Sequence, residues 1–600
     1  MFFDYALVHV KFTIPLAGLL TVIAKPFLTY LDATRILFLV TVAVTATIPW
    51  DSYLIRTGVW TYPEDGVLGQ SLFSIPVEEL FFFVIQTYIT SLVYILCNKP
   101  VLLAQYLTTR EARPEWIRQG KAFGQLLFVA LTAFGGFLVI QNDQRTYLGL
   151  ILAWACPVLW MTWSLSGDMI LALPWTSTVL PVMAPTIYLW FVDELSLRQG
   201  IWTIEDDTKL GSQLFGKLDL EEAIFFLISN MLVVFGLLAF DKATAVHDAF
   251  PELFPQPSSS VPMMSLLRAR AVPSAHYDMQ RIVGIQESVV RLQKKSRSFH
   301  IASSVFPGRV RIDLTLLYSY CRLADDLIDN AETPEEALDW ISKLKGHLDS
   351  VYCAPKAANV GHFIRANFPP SAHSALNLLP THVISSEPLY ELLEGFRTDV
   401  EFSMSDRPPI QEEEHLELYA SRVASTIGEL CLDVIFHHTL QKVENKRALY
   451  SAAKEMGIAL QYVNIARDVV VDAKIGRVYL PVSWLEEEGM TTEMVLEKPS
   501  GPQIDVMRRR LLGKAFQRYR NSRPAMDMIP KEGRGPMIVA VESYMEIGRV
   551  LAEGGCGWRG RPPFRPGDAL GLCGKQRCEI LEGVALAGLI SFVVFASSHF

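Results

Sequence analysis

The hydropathy pattern of the chain changes in its middle. From residue 1 to about 241 long apolar runs follow one another, whereas from about 285 to 550 the chain is charged and amphipathic. Between these parts lies HDAFPELFPQPSSSVPMM (247–264), which is rich in Pro and Ser and predicts a linker. We therefore expect a membrane-embedded first half and a soluble, helical second half.

Apolar windows in the first half predict seven membrane-spanning helices, since each is roughly 17–24 residues long. Pro residues interrupt the fifth and sixth windows, which membrane helices tolerate where neighbours satisfy the freed carbonyls. The windows lie near 5–24, 34–50, 75–98, 121–141, 146–166, 169–191 and 220–241. The predicted fold class is all-α, with a polytopic membrane domain followed by a soluble all-α domain.

The apolar half also repeats itself. WDSYLIRTGVWTY contains Asp51, and the similar segment VDELSLRQGIWTI contains Asp193, which lies 142 positions later. Each segment also carries a Gly and a Trp at matching places. We predict two three-helix units, about 1–98 and 146–241, joined by one extra helix. An odd number of connecting helices gives both units the same orientation, which makes a parallel repeat.

A pair of adjacent glutamates recurs in both units. PVEELFFF contains Glu78 and Glu79, and LDLEEAIFF contains Glu221 and Glu222. Such pairs can mark a helix N-terminus at the membrane surface, where the helix dipole favours anions. Their recurrence favours a functional role, because carboxylates in hydrocarbon are costly and usually functional. Two acids in an apolar site can raise one pKa, leaving a protonated carboxyl that can donate a proton.

The soluble half carries two stripes of acidic residues. Asp325 and Asp329 are four apart in YSYCRLADDLIDN, and Asn464, Asp468 and Asp472 step by four in QYVNIARDVVVD. On helices each set shares one face, where like charges are destabilising without a cation. Mg²⁺ takes a few carboxylates together with phosphate oxygens, so the two stripes predict a diphosphate bound through Mg²⁺.

The motifs around these stripes identify a family resemblance. They run in the order KSRSFHIASSVFPGRVR, YCRLADDLID, EGFRTD, YASRVASTIGEL and QYVNIARDVVVD followed by GRVYLP. In order and spacing, over about 270 residues from 285 to 552, they resemble the squalene/phytoene synthase family. Ser425 departs from the family, which usually has Gly there, and should narrow the pocket slightly.

The resemblance implies an all-α fold with a central cavity, in which two allylic diphosphates are joined head to head. It implies that Asp325, Asp329, Asp468 and Asp472 hold Mg²⁺ (or Mn²⁺) and that Tyr419 lines the reacting centre. The residues that it implies for diphosphate binding are Arg311, Arg322, Asn464, Arg467, Arg397 and Tyr318.

The membrane half resembles the lycopene cyclases built from three-helix units, and the whole chain resembles the fungal bifunctional lycopene cyclases/phytoene synthases. This implies condensation of two geranylgeranyl diphosphates to phytoene, and redox-neutral, proton-initiated cyclisation of lycopene ends to β-ionone rings. A separate phytoene desaturase would act between these steps. The cyclase half shows no evident cofactor. All four glutamates are candidates for acid, base and cation stabilisation, with Asp51 and Asp193 as further candidates.

Charge and cysteine content narrow the remaining classes. The net charge of −9 gives no indication of nucleic-acid binding, and eight Cys without a CxxC pair argue against a disulfide scaffold or zinc site. Basic residues after the third window place that loop in the cytosol by the positive-inside rule. We expect a multi-pass protein of the endoplasmic reticulum or a related membrane, with the synthase half cytosolic.

Two other functions and one segment stay open. A squalene synthase with a membrane anchor would share the Asp motifs but consume NADPH, and a receptor or transporter could tether the synthase. The expected domains are a cyclase domain at 1–241, a linker at 242–284, a synthase domain at 285–552 and an atypical tail at 553–600. The tail could be an anchor, a buried helix or an artefact of an incorrectly predicted gene end, and we favour the last.

Overall fold

The structure is a computed structural model, and it describes residues 4–63, 66–255, 263–306, 308–353, 357–405, 407–439 and 442–553. The described residues are helical almost throughout, with three short two-stranded sheets, which confirms the all-α class. They divide into two compact units, one ending at residue 279 and the other beginning at residue 280.

The first unit contains seven helices that are long and apolar enough to cross a membrane. The predicted number of helices of spanning length is confirmed among the described residues, although the sixth begins at Trp175 instead of near 169, and the proline-containing fifth and sixth helices are continuous. A π-helical turn, His9–Thr13, interrupts the first. The helices are α1 Asp4–Ala24, α2 Tyr30–Arg56, α3 Val77–Asn98, α4 Glu115–Gln141, α5 Thr146–Ala172, α6 Trp175–Gln199 and α7 Leu220–Ala249.

The connections repeat as the helices do. After α2 and α6 the chain turns at Gly58 and Gly200, whose φ values of 74° and 70° suit glycine. A short hairpin then leads into the next helix, β2–β3 (Ser71–Leu72 and Ile75–Pro76) before α3 and β5–β6 (Gln213–Phe215 and Leu218–Asp219) before α7. The two units of the repeat meet where β1 (Trp60–Thr61) pairs antiparallel with β4 (Thr203–Ile204).

The extra helix α4 packs closely on α5. A methyl group placed on Gly149 would lie 2.9 Å from the carbonyl oxygen of Gly135, and one on Gly135 would lie 2.7 Å from the backbone nitrogen of Ala153. Small residues at such crossings let two helix backbones approach in a membrane. The pair α4–α5 is therefore a tight antiparallel hairpin.

The predicted linker at 242–284 is more helical than its Pro and Ser content indicates. Helix α7 continues to Ala249, α8 (Met263–Ala271) follows, and α9 begins at Met279. The cause is local burial, since Leu266 and Ala269 of α8 are buried in the first unit. Residues 256–262 of the linker and 554–600 of the predicted tail lie outside the described residues.

The second unit is a bundle of helices around α11 (Gly308–Asp329) and α18 (Lys446–Lys474), which carry the two acidic stripes. Its core includes the fully buried Tyr320, Tyr462 and Trp484. A π-helical turn at Ser421–Ser425 joins α16 to α17. The helices are α9 Met279–Lys295, α10 Arg297–Ser303, α11 Gly308–Asp329, α12 Pro334–Tyr352, α13 Ala357–Asn367, α14 Pro370–Asn377, α15 Glu387–Met404, α16 Glu413–Ala420, α17 Thr426–His438, α18 Lys446–Lys474, α19 Val482–Glu487, α20 Thr492–Glu497, α21 Pro502–Ser522 and α22 Lys531–Ala552.

The narrowing of a pocket by Ser425 stays a prediction, and the structure shows which groups this residue contacts. Its hydroxyl donates to the carbonyl oxygen of Lys454 at 2.6 Å, and its Cα lies where a methyl group on Gly457 would be only 2.5 Å away. The side chain is therefore used in the close crossing of the π-helical turn with α18.

Candidate active sites

The second glutamate of each pair faces one cavity in the first unit. The chain enters α3 and α7 from equivalent hairpins, so Glu79 and Glu222 occupy equivalent places in the first turn of each helix. Both side chains line the cavity, which has an empty volume of about 560 Å³ including its opening. The other lining residues are Tyr5, Val8, His9, Thr13, Trp60, Tyr62, Phe82, Leu189, Val192, Asp193, Trp202, Phe225 and Phe226.

Tyrosine hydroxyls bind both of these glutamates. Tyr5 and Tyr62 donate to Oε2 of Glu79, the latter at 3.0 Å. Tyr147 donates to Oε1 of Glu222 at 2.5 Å. Tyr147 lies 142 positions after Tyr5, the offset of the repeat, so the two hydroxyls occupy equivalent places. These tyrosines are not among the residues predicted from the sequence, although the repeat offset, applied to every polar residue, pairs Tyr5 with Tyr147.

The first glutamate of each pair is used differently. Glu78 accepts a hydrogen bond from the backbone N–H of Leu68 at 2.6 Å, and Glu221 accepts one from the N–H of Leu210, also at 2.6 Å. Each therefore holds the loop before its own helix. The four glutamates, which the sequence groups together, divide into two that line the cavity and two that bind loop amides.

The two aspartates of the repeat are buried near the same glutamates. Asp51 and Asp193 are 0% and 2% exposed, and Trp202 is a side-chain hydrogen-bond partner of Asp193. Each interacts electrostatically with both Glu79 and Glu222. Four carboxyl groups, two from each repeat unit, thus influence one another in a largely apolar place. Ionising all of them would be costly.

Aromatic rings form most of the remaining wall. Trp60 meets Tyr147 and Phe225 edge-on, with ring centroids 5.9 Å apart in both pairs. His9 bonds through Nε2 to the carbonyl oxygen of Glu78 at 3.1 Å. The faces of aromatic rings such as those of Trp60 and Phe225 attract cations. His9 and Tyr62 have no polar counterpart in the second repeat unit, where Ile151 and Ile204 stand at the matching offset, so the two sides of the cavity differ.

The second unit brings both acidic stripes into one electrostatic environment. Burial, and then the neighbouring Asp329, raises the pKa of Asp325 to about 7. Burial, and then the neighbouring Asp468, raises the pKa of Asp472 to about 7. Asp399 contributes in the same direction to both.

Asp399, which interacts electrostatically with Asp325 and Asp472, is not among the residues predicted from the sequence. It is buried on α15, and burial raises its pKa to about 6 despite the opposing effect of Arg477. The hydroxyl of Tyr479 donates to its Oδ1 at 2.7 Å. The ring of Tyr419, a predicted site residue, stacks on Tyr479 with centroids 4.9 Å apart.

Arginines partner the carboxylates of both stripes. Arg322 pairs with Asp325 at 2.8 Å and Arg467 bonds Asp468 at 2.8 and 2.5 Å, so both lie where the sequence predicts. Arg477 pairs with Asp329 at 2.8 Å. Arg322 also pairs with Asp326 at 2.7 Å. Arg477 belongs to the quoted GRVYLP segment but was not selected as a site residue.

The remaining residues predicted to bind diphosphate differ in how closely they approach the two stripes. Asn464 accepts a hydrogen bond from Tyr544 at 2.5 Å beside the second stripe. Tyr318 stacks on Phe299 at 5.4 Å between ring centroids and interacts electrostatically with Arg322 and Asp325. Arg311 is buried, and burial lowers its pKa to about 10.

Arg397 is not brought to these groups by any described contact. Its side chain is half exposed and pairs with Glu394 at 3.4 Å. Residues two positions apart on a helix point about 200° away from each other. Because Asp399 points inward, Arg397 therefore points outward. EGFRTD therefore contributes its aspartate, rather than its arginine, to the contacts between the stripes.

The acidic stripes suit a divalent cation held partly by substrate. Among the described residues, no group of three His, Cys, Asp or Glu side chains is arranged to hold a metal alone. Two partly buried aspartates with raised pKa values, Asp325 and Asp472, nevertheless lie beside further carboxylates, an arrangement that a cation would stabilise. Oxygen donors from a few carboxylates, completed by phosphate oxygens, are the set that Mg²⁺ prefers.

Comparison with known proteins shows similarity over both halves. The profile of the family described as Squalene/phytoene synthase matches residues 292–567. A bifunctional lycopene cyclase/phytoene synthase of Colletotrichum graminicola is 58% identical over 560 residues, covering 92% of this chain and 95% of the relative. One of Neurospora crassa is 52% identical over 569 residues, covering 92% and 94%. A solved dehydrosqualene synthase covers 52% of this chain and 97% of its own, at 22% identity and a TM-score of 0.38.

Proposed function

The chain belongs to the bifunctional lycopene cyclase/phytoene synthase family, and on that premise we propose which half and which residues carry each activity. The second half condenses two geranylgeranyl diphosphates head to head to phytoene and releases diphosphate. The first half cyclises lycopene ends to β-ionone rings, giving γ- or β-carotene. The match of the synthase family to residues 292–567 supports the first assignment, and the acid-lined cavity of the seven-helix unit supports the second.

The observation that carries the cyclase proposal is that Glu79 and Glu222 enter one cavity from equivalent helices. A protonated carboxyl donates its proton to the terminal C=C bond of lycopene. The resulting tertiary cation is attacked by the next C=C bond in reach, which closes a six-membered ring. A carboxylate then removes a proton from the ring cation to form the ring double bond. One proton enters and one leaves, so the product is an isomer of the substrate.

The surroundings of the glutamates suit this chemistry. Tyr5 and Tyr147 fix the orientation of the carboxyl groups by donating to one oxygen of each, so the other oxygen is available for proton transfer. The rings of Trp60 and Phe225 stabilise the ring cation through their faces and exclude the water that would quench it. Asp51 and Asp193 lie near the same glutamates, and because ionising all four carboxyl groups would be costly, this grouping favours a protonated carboxyl in the site.

In the synthase half, Asp325, Asp329, Asp468 and Asp472 would hold Mg²⁺ (or Mn²⁺). When bound, the metal neutralises the charge that develops on the leaving diphosphate. Arg322, Arg467 and Arg311 bind diphosphate oxygens through their guanidinium groups. Arg477 joins them by holding Asp329 and Asp399 in place. Tyr419 and Tyr479 close the apolar side of the reacting centre, beside the buried Asp399.

Phytoene and the cyclised carotenes are too apolar to diffuse through water. Placing both activities in one membrane-bound chain lets these products stay in the bilayer near the next site. We place the seven helices in the endoplasmic reticulum or a related membrane, with the synthase half in the cytosol. Phytoene has fewer double bonds than lycopene, so a separate phytoene desaturase must act between the two steps.

The experiment that tests the proposal adds this gene to bacteria that make geranylgeranyl diphosphate and a phytoene desaturase, but no synthase or cyclase. Cyclised carotenoids in the extract would support both assignments. Lycopene alone would contradict the cyclase assignment and favour a receptor or transporter role for the first half. No C40 product despite good expression would contradict the synthase assignment, and the protein would then be assayed as an NADPH-dependent squalene synthase.

A further inference from the structure

Four cations gather at the end of the seven-helix unit opposite to the glutamates. Arg113 precedes α4, Lys121 lies in its second turn, Lys242 lies near the end of α7, and Arg270 belongs to α8. On α7, Lys242 follows Glu222 by 20 residues, which corresponds to about 30 Å along the helix axis. This distance equals the thickness of a bilayer core, so the cluster lies at the other membrane surface.

One carboxylate, Asp168 at the end of α5, pairs with three of the four. It accepts from Arg113 at 2.6 Å and from Lys242 at 2.7 and 2.8 Å, and it lies 3.6 Å from Lys121. Arg270 donates instead to the carbonyl oxygen of Leu165 at 2.7 Å. The five side chains together carry an excess of three positive charges.

Two N–H donors of this cluster have no hydrogen-bond acceptor among the described residues. The Nε atoms of Arg113 and Arg270 are buried and have no acceptor among the described residues, and the Arg113 side chain is only 9% exposed. A buried charged donor without a partner is costly.

A second ion network at the same end of the unit shows what a balanced arrangement looks like. Arg35 pairs with Asp32 and Asp241, and Lys99 pairs with Asp32 at 2.7 Å. Two cations thus face two carboxylates, and Tyr94 donates to Asp241 at 2.7 Å. The Nε of Arg35 is also buried without an acceptor among the described residues, so the two networks differ in their balance of charge. The contrast between two cations for two carboxylates here and four for one around Asp168 indicates that the Asp168 cluster lacks an anion.

We propose that the cluster formed by Arg113, Lys121, Lys242 and Arg270 binds a phosphate group, supplied by an anionic phospholipid of the membrane. Guanidinium and ammonium groups form short, charge-assisted bonds to phosphate oxygens. Basic pockets between helices at a membrane surface bind phospholipid head groups. Lys121 is 22% exposed and marks the side from which a head group enters. The Tyr277 hydroxyl interacts electrostatically with Arg113, Arg270 and Asp168, and offers a neutral donor.

The test uses the purified full-length chain in neutral detergent and follows its Tm. Phosphatidic acid is titrated against the wild type and the double variant Lys121→Gln/Arg270→Gln, which leaves Arg113 and Lys242 paired with Asp168. Lys99→Gln, which removes one cation from the balanced network, is the matched control. Phosphatidylcholine and inorganic phosphate are titrated in parallel.

We expect phosphatidic acid to raise the Tm of the wild type and of Lys99→Gln in a saturable way. In the double variant the half-saturating lipid concentration should increase about 30-fold, because two of the cations that face the phosphate are gone. Phosphatidylcholine should have no effect. Without lipid, the single variant Arg270→Gln should have a Tm equal to or higher than that of the wild type, because it relieves excess positive charge. This variant serves as a second test if the double variant folds poorly.

Three results would overturn the proposal or change its source. An equal response to phosphatidic acid in the wild type and the double variant would rule out the site. A loss as large in Lys99→Gln would show general attraction to the protein surface instead of a built site. The third result is a saturable Tm shift with inorganic phosphate that the double variant loses, together with no shift with phosphatidic acid. It would support the phosphate site but show that its ligand is free phosphate instead of a lipid.

Discussion

The two halves of the chain each gather a group of carboxyl side chains, buried in the first unit and about one-third exposed along the stripes of the second, and they surround them with different partners. In the membrane unit the partners of Glu79 and Glu222 are tyrosine hydroxyls. In the second unit the aspartates of the two stripes pair with the guanidinium groups of Arg322, Arg467 and Arg477, whereas Asp399 between them accepts from the Tyr479 hydroxyl. The partners of the cavity glutamates are neutral, and those of the two stripes are positively charged.

This difference separates two uses of the same functional group. A neutral donor orients a carboxyl group without compensating its charge, so the group remains able to give and take a proton. A cationic partner stabilises the carboxylate form and keeps its oxygens ionised for a metal. The partner, more than the carboxyl group itself, therefore indicates whether a buried acid serves proton transfer or metal binding.

The largest effect should come from neutralising one aspartate in each stripe. In Asp325→Asn/Asp472→Asn we expect phytoene formation to fall by about 10³-fold or more, because both metal-binding stripes lose a charged oxygen donor. The same protein should still cyclise lycopene supplied in vesicles, which serves as an internal control for folding. Both rates are measured on one preparation by pigment extraction and chromatography. Loss of both activities together would contradict separate sites.

Neutralising the cavity glutamates should have the next largest effect, on the other activity. In Glu79→Gln or Glu222→Gln we expect cyclisation to fall about 10²–10³-fold, since positioned proton transfer contributes on this order, while phytoene formation is unchanged. The accumulated lycopene is measured against cyclised products.

The neighbouring glutamates provide matched controls for this experiment. Glu78→Gln and Glu221→Gln keep an oxygen that can accept from the loop amides of Leu68 and Leu210, so their loss should stay within about tenfold. Equal losses in all four variants would contradict the division of each pair into a cavity residue and a loop residue.

Removing a cationic partner should reduce the synthase by less than removing its carboxylates. Arg477→Gln releases Asp329 and Asp399 from their shared cation, and we expect kcat for phytoene formation to fall about 10–100-fold. The site becomes more negative, so half-saturation should need less Mg²⁺ than in the wild type. Both values come from rates measured across a Mg²⁺ series. A higher Mg²⁺ requirement would contradict the role of Arg477 as a charge partner of the stripe.

Removing a neutral partner should have the smallest effect, and it should differ between the repeat units. Tyr147→Phe leaves Glu222 without its described donor, whereas Tyr5→Phe leaves Glu79 with Tyr62. We expect cyclisation to fall about tenfold in the first variant and about threefold in the second, in line with one or part of one hydrogen bond. The pH profile of cyclisation should also shift in Tyr147→Phe, which a purely structural role would not produce. The opposite order of the two losses would contradict the assignment of partners.

The sequence predicts the fold better than it predicts the sites. Seven spans, the repeat and both acidic stripes follow from patterns that neighbours along the chain determine. Which of Glu78 and Glu79 enters the cavity does not follow, because adjacent helical residues point about 100° apart and only the packed hairpin decides between them. For the same reason EGFRTD indicates a charged site segment but not that Asp399, rather than Arg397, turns inward.

Other site features depend on contacts between distant segments. Tyr5 and Glu79 are 74 residues apart, and no local pattern joins them. Arg477 and Asp329 are 148 apart. The repeat offset was the one signal in the sequence that could have connected Tyr5 with Tyr147. The helical character of 263–271 depends on burial against the first unit, which the Pro and Ser content of its surroundings conceals.

The close hairpin of α4 with α5 has a consequence for how the cyclase could have arisen and how it can be divided. None of the cavity-lining residues belongs to α4, so this helix contributes connectivity instead of chemistry. Its role is that of a tether, which keeps the second repeat unit at a high effective concentration near the first. If the chain is cut in the loop before α4, the two fragments should therefore reassemble. Helix α4 then belongs to the second fragment, where it stays packed on α5.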